Sequence, residues 1–200
     1  MAFLLGTGMA FAGILLPGML NMTAVSISVK RGRRSGIQFV VGAAIVTAFQ
    51  ALIALFFADL LLRNPRIIHA MKQMALWLFI ILAIAFFLKA RRRQVARARK
   101  ASGSKNFGAG FGLAFANALA IPYFLGVGSW LIAKGHVDDS LSSLLCFSLG
   151  AGVGSFFMFV LYVYSAGWVS RHAAWFTRNI NFVMSAFFLF LAILQGYNLY

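Results

Sequence analysis

Two short runs, Leu16-Pro17-Gly18-Met19-Leu20-Asn21 and Asn117-Ala118-Leu119-Ala120-Ile121-Pro122, set a proline and an asparagine inside otherwise apolar stretches. Proline removes a backbone donor and clashes with the preceding helical turn, so each stretch is expected to break there. In a bilayer the released carbonyls need another partner, and such breaks persist where protein or a water-filled cavity surrounds them. A half-helix N-terminus favours an anion and a C-terminal end a cation. Two breaks facing one cavity could therefore hold both charged groups of an amino acid. The chemistry is non-covalent binding, and the candidates are Pro17, Gly18, Asn21, Asn117 and Pro122. Gly18 lets a helix or a ligand approach the backbone. Asn21 follows Pro17 by four residues, on roughly the same helical face, and offers donors and an acceptor. Taken singly, each run reads equally well as a structural kink whose Asn bonds a neighbouring helix. The pairing favours a site.

Three further polar residues lie within apolar runs: Thr47, Gln50 and Ser155. Such residues face the bundle interior, as interhelical hydrogen-bonding groups or as lining of the same site. Gly150-Ala151-Gly152-Val153-Gly154 permits close helix approach or a sliding surface. Asp59 is the acid set inside an apolar segment and the one candidate for ion coupling. Arg63 lies four residues on, so an interfacial ion pair is the plainer reading. His69, His136 and His172 are scattered and Cys146 is the sole cysteine, which leaves no metal site, no disulfide and no redox pair. Neither a Gly-x-Ser-x-Gly nor a Walker A run occurs, so hydrolase and ATP-driven readings lack support, and no cofactor is expected.

The elements that must position these residues are transmembrane helices. The chain of 200 residues is 62% hydrophobic and 10% charged, with mean hydropathy +0.89, far from a soluble domain. Six apolar segments emerge, at 3–28, 36–62, 68–89, 107–133, 140–168 and 177–197. Each reaches the roughly 20 residues a helix needs to span a bilayer. The net charge of +15 falls between these segments, so it reads as a topology signal and not as a nucleic-acid footprint. Lys30, Arg31, Arg33 and Arg34, the eight basic residues from Lys89 to Lys105, and Arg171 and Arg178 share one side, 14 against 4 on the other. The positive-inside rule makes that side cytoplasmic and sends both termini outward. Trp77, Trp130, Trp168 and Trp175 fall towards segment ends, as interfacial anchors do.

The expected architecture is one all-α membrane domain, 1–200, with repeat one at 1–90, a basic cytoplasmic linker at 91–105 and repeat two at 106–200. Three segments before the linker and three after it make the halves oppositely oriented, a 3+3 inverted-topology repeat. Residue matches support the parity: Gly42 precedes Thr47 by five positions, and Gly150 precedes Ser155 by five. The third segments, at 76–88 and 182–194, are both aromatic and aliphatic. The linker contains Ser102-Gly103-Ser104 and is expected to meet anionic headgroups.

The run from Leu16 to Val25, followed by Lys30-Arg31-Gly32-Arg33-Arg34-Ser35-Gly36, resembles the first conserved block of LysE/RhtB-type transporters. Asn117–Phe124 looks like the block that opens that family's fourth helix, and Phe147–Gly154 resembles its fifth. Met19 stands where a second proline is usual, Pro122 is displaced from the usual Asn-Pro, and the lysine common in that block is missing, as in a divergent branch. The resemblance implies gradient-driven export of amino acids or related small molecules across a bacterial inner membrane. The expected function is thus a secondary transporter whose substrate sits near Pro17, Gly18, Asn21, Asn117 and Pro122, with Thr47, Gln50 and Ser155 around them. One repeat would rock against the other. A channel, scaffold or maturation factor is the alternative, and a membrane-embedded enzyme a weaker one. The expected partners are an amino-acid-like small molecule and the bilayer, with a homodimer left open and no nucleic acid.

Overall fold

The computed structural model describes residues 1–15, 18–62, 73, 76, 77, 79–88, 106–117 and 119–197, without the side chains of 59–62, 172–181, 183, 184, 187, 191 and 195. The described residues form helices and no strand. In chain order the helices are α1 (Ala2–Ile14), α2 (Met19–Arg31), α3 (Arg33–Leu62), α4 (Phe79–Leu88), α5 (Asn106–Phe115), α6 (Ala120–Ala133), α7 (Leu141–Tyr164) and α8 (Ala166–Tyr197). Two of them, α3 and α7, are long and apolar enough to cross a membrane singly. The pairs α1 with α2 and α5 with α6 bend by 77° and 62° at short breaks, and each adds a crossing if the pair is one span. Both breaks fall where the two proline–asparagine runs lie.

Two boundaries differ from expectation. The 5–6 loop expected between 168 and 177 is helical, because α8 starts at Ala166 and Ser165 alone separates it from α7. Beyond Gly167, in the first turn, nothing up to 177 is a Gly or Pro that would stop a helix. The basic 1–2 loop shrinks to Gly32, whose φ of +84° suits a residue without a Cβ; Lys30 and Arg31 end α2, and Arg33 and Arg34 begin α3.

The chain packs as two compact units, Met1–Leu62 with Ala98–Arg171, and Arg63–Arg97 with His172–Tyr200. In the second unit, Phe79 and Phe86 meet the Phe188 ring at centroid distances of 6.2 and 5.7 Å, and the Ser185 hydroxyl donates to the Ala83 carbonyl at 2.9 Å. The aromatic third segments of the two halves therefore pack on each other.

In the first unit, α1 lies against α7 and α5 lies against α3. Lipid tails are as apolar as leucine, so helices associate by close packing and hydrogen bonds, and small residues let backbones approach. Gly6 rests on the Phe147 carbonyl, Gly150 on that of Phe3, and Gly154 on that of Thr7. On the other side Gly42 rests on the Phe107 carbonyl and Gly110 on that of Phe39. A Cβ at any of these glycines would strike backbone.

These contacts correspond position by position. Phe3 and Gly6 lie 104 residues before Phe107 and Gly110, and Phe39 and Gly42 lie 108 before Phe147 and Gly150. Each first half-helix thus packs on the second helix of the opposite half, through equivalent residues. Within each pair the helices run parallel: contacts advance together from Phe3–Gly150 to Thr7–Gly154 to Leu15–Tyr162, and from Gln38–Asn106 to Gln50–Ala114. Helices α3 and α7 cross antiparallel, with Gly36 near Val163 and Gly152 on Ala44 and Ala48. Ala44 and Gly152 are themselves 108 residues apart, so the crossing joins equivalent positions, as contacts on a two-fold axis do. One apolar cluster gathers Leu55, Phe124, Leu131, Leu144 and Phe147; another gathers Leu20, Phe39, Val40, Phe159 and Val163.

Candidate functional site at two broken helices

The first break opens between Ile14 and Met19. Leu15 keeps helical angles and bonds Ala12, while Gly18 is extended and begins α2 with no side-chain cap. Pro17 lies outside the described residues. Asn21, 3% exposed, is the third residue of α2, and its amide nitrogen reaches back to the Ile14 carbonyl at 2.9 Å. The next carbonyl, that of Leu15, accepts from the Tyr162 hydroxyl of α7 at 2.8 Å. The Asn21 side chain also hydrogen-bonds the Tyr162 hydroxyl. Two successive carbonyls at the end of α1 are thus met by one buried network. Space is open beside the exposed Gly18.

The second break follows the same logic with different residues. Helix α5 ends at Phe115; the Asn117 N–H donates to the Ala114 carbonyl at 2.9 Å, and the Ala120 N–H to that of Asn117 at 3.3 Å. The buried Gln50 of α3 places its amide nitrogen 3.1 Å from the Ala114 carbonyl and 3.4 Å from that of Asn117. Leu119 begins α6 without a side-chain cap. Pro122 is the third residue of α6, inside the first turn, where its missing N–H removes no intrahelical bond. It starts a helix here instead of kinking a continuous one.

The two breaks share a polarity. Carbonyls at the ends of α1 and α5 have side-chain donors, whereas the N-termini of α2 and α6 have no side-chain cap. Thr47 and Ser155 are buried, and each hydroxyl donates to its own helix four residues back, to Ala43 at 3.0 Å and to Ala151 at 2.7 Å. They occupy equivalent positions on α3 and α7, one turn from the Ala44–Gly152 contact. All buried side-chain nitrogens and oxygens among the described residues have a partner. The Asp59 side chain and its neighbour Arg63 lie outside the described residues. No group of His, Cys, Asp or Glu that could hold a metal occurs among the described residues.

Two tyrosines went unnoticed in the sequence. Tyr162 caps the first break. Tyr123 of α6 lays its ring on Gly13 and donates to the Met9 carbonyl at 2.7 Å, tying α6 to α1. The signal was present: a tyrosine in an apolar run carries a hydroxyl that must find a partner.

Apolar spanning helices with two matched breaks define a helical membrane protein built around interrupted segments. The sequence profile of the LysE type translocator family matches residues 11–198, all but the first ten and last two residues. The chain belongs to that family of membrane transporters. No curated protein and no solved structure matches it.

Proposed function

We propose that this translocator is a secondary transporter that exports amino acids or related small metabolites across the bacterial inner membrane by alternating access. The observation that carries the reading is the pair of broken helices, each seated on the second helix of the opposite half through equivalent glycines. Because α3 and α5 run parallel, the chain between them must recross the bilayer. That parity supports six spans in a 3+3 inverted repeat with both termini outside. The basic end of the first unit supports the same orientation: Arg31 bonds Asn106 at the start of α5, and Arg33 stacks on Tyr164 at the end of α7, 5.1 Å from its ring centre. The linker 91–105 would then lie on anionic headgroups of the cytoplasmic leaflet.

Substrate would bind between the breaks. The N-terminus of α2, beside the open space at Gly18, suits a carboxylate through its first-turn N–H groups and the helix dipole; at α6, where Ala120 already bonds Asn117 and Pro122 has no N–H, the dipole alone would contribute. The half-buried Asn117 would supply an amide to the substrate, the buried Asn21 and Gln50 would hold the break carbonyls around it, Thr47 and Ser155 sit one turn from the α3–α7 contact, and Pro17 stays a candidate on its place in the sequence. Asp59 is the candidate for ion coupling.

Purified protein in vesicles should catalyse gradient-dependent counterflow of its substrate, with metabolite profiles of a deletion strain and an overproducing strain identifying the compound. Asn21→Ala and Asn117→Ala should each cut counterflow at least tenfold in protein that still folds. Unchanged counterflow in both variants would place the site elsewhere.

A further inference from the structure

We infer that the bodies that move during transport are not the two sequence halves but two composite pairs, α1 with α7 and α3 with α5. The inference rests on the transporter reading and specifies its mechanics. Three sets of observations converge on it.

The first is the depth of packing. Inside each pair, glycines bring one helix onto the backbone carbonyls of the other, Gly6, Gly150 and Gly154 in one pair and Gly42 and Gly110 in the other. Backbone seated on backbone cannot slide or rotate without collision. Packed interfaces of this kind switch between discrete arrangements or move as a block.

The second is where the break carbonyls find donors. The Leu15 carbonyl of α1 is bonded by Tyr162 of its own partner α7. The Ala114 and Asn117 carbonyls at the end of α5 are bonded by Gln50 of its own partner α3. Each half-helix is therefore fastened at its broken end to the helix it already packs on, and a motion that split either pair would break these side-chain bonds. Asn21 ties α2 to the first pair through Ile14, while the rest of α2 packs more widely on α3 than on α7, so α2 lies across both pairs.

The third is the kind of contact that joins the pairs. At their crossing, helices α3 and α7 touch as widely as α3 and α5 do, but side chains meet there: a Cβ at Gly152 would first reach that of Ala48, and one at Gly36 the Val163 methyls, where inside the pairs it would strike backbone. The polar links between pairs sit apart from it: Tyr123 on Met9 and Gly13, and, at the basic end, Arg31 on Asn106 and Arg33 over Tyr164. Rotation about the crossing can release one set of links while keeping the other, which is the requirement of a device that opens to one side at a time. A split into sequence halves would have to pull α1 off α7 and α5 off α3, the contacts in which glycines rest directly on backbone carbonyls.

Spin labels on exposed positions distinguish the two schemes. On a Cys146→Ser background, cysteine pairs would be placed at Leu4 and Leu149 (α1 and α7), Phe49 and Phe115 (α3 and α5), and Leu4 and Phe49 (α1 and α3); these side chains are exposed. Distances are measured in vesicles without substrate and under saturating substrate, each double variant having first been shown to retain counterflow. The expected result is that the first two distances hold within the label's own spread while the Leu4–Phe49 distance shifts by several ångströms. A fixed Leu4–Phe49 distance with changes in the other two would overturn the inference in favour of moving sequence halves. Three unchanged distances in protein that transports would overturn it as well. Absence of counterflow in the unlabelled parent protein is a separate result and would overturn the transporter reading itself.

Discussion

The amide nitrogen of Gln50 lies 3.1 Å from the carbonyl oxygen of Ala114, sixty-four residues away, and holds the end of a broken helix from the side. Tyr162 does the same for Leu15 at the other break. Neither bond belongs to regular secondary structure, yet each gives a carbonyl at a break a donor from the neighbouring helix.

Gln50→Leu removes the donor to two carbonyls at the second break. Both carbonyls keep a backbone donor, the Asn117 and Ala120 N–H groups, so the loss is of two side-chain bonds worth about 0.5–1.5 kcal/mol each, which a thermal unfolding scan in detergent should show. Gln50→Glu keeps the shape but turns the donor into an acceptor facing carbonyls, and should lose at least as much. Wild-type stability in both variants would mean that the Gln50 bonds add nothing to the backbone bonds at this break.

At the first break the load is shared, so Tyr162→Phe should cost less, about 0.5–1.5 kcal/mol. Asn21→Ala strips a donor from Ile14 and a partner from Tyr162. A double-mutant cycle of the two should show coupling of about 0.5 kcal/mol or more, as expected for residues in one network. Simple additivity would argue against the network.

Two glycines on α5, two positions apart, make a sharp contrast. Gly110 sits on the Phe39 backbone, whereas a Cβ at Gly112 would meet nothing within 4 Å. Gly110→Ala should destabilise by about 1–3 kcal/mol through overpacking. Gly112→Ala should be neutral or stabilising by up to about 1 kcal/mol, since alanine restricts the unfolded chain. Yield and melting temperature of the two proteins compare them directly, and equal behaviour would contradict the close α3–α5 approach.

Orientation can be read with single cysteines in a Cys146→Ser background. Arg34→Cys, beside the α2–α3 junction, should react with an impermeant thiol reagent only after the inner face is exposed. Ser140→Cys, at the start of α7, should react from outside intact cells. The reverse pattern would invert the topology proposed above.

Much of this was legible in the residues themselves. Hydropathy marked the apolar segments because bilayer thickness imposes a length on any span. Pro17, Pro122 and their asparagines marked the breaks because proline is tolerated in the first turn of a helix and not in its interior, a local preference that holds whatever surrounds it. Gly42 and Thr47 match Gly150 and Ser155 in spacing, and the Ala44–Gly152 contact falls at the same offset on α3 and α7. The length of α8 was misjudged because basic residues near 171 look like a loop, although they form helix readily.

The sequence by itself determined an all-helical membrane chain, the position of its two breaks and its family. Only the tertiary structure decided that α1 packs on α7 and α5 on α3, that Tyr162 and Gln50 hold the broken ends, and that Gly6 and Gly110 are places where a methyl group cannot fit. The physical reason is the solvent. In water an apolar face points inward, and its period along the chain reveals what it will bury. In lipid every face of a helix can be apolar, so hydropathy no longer tells neighbour from solvent. Partner choice then rests on close contacts between residues as far apart as Leu15 and Tyr162, and no local pattern in the chain records those.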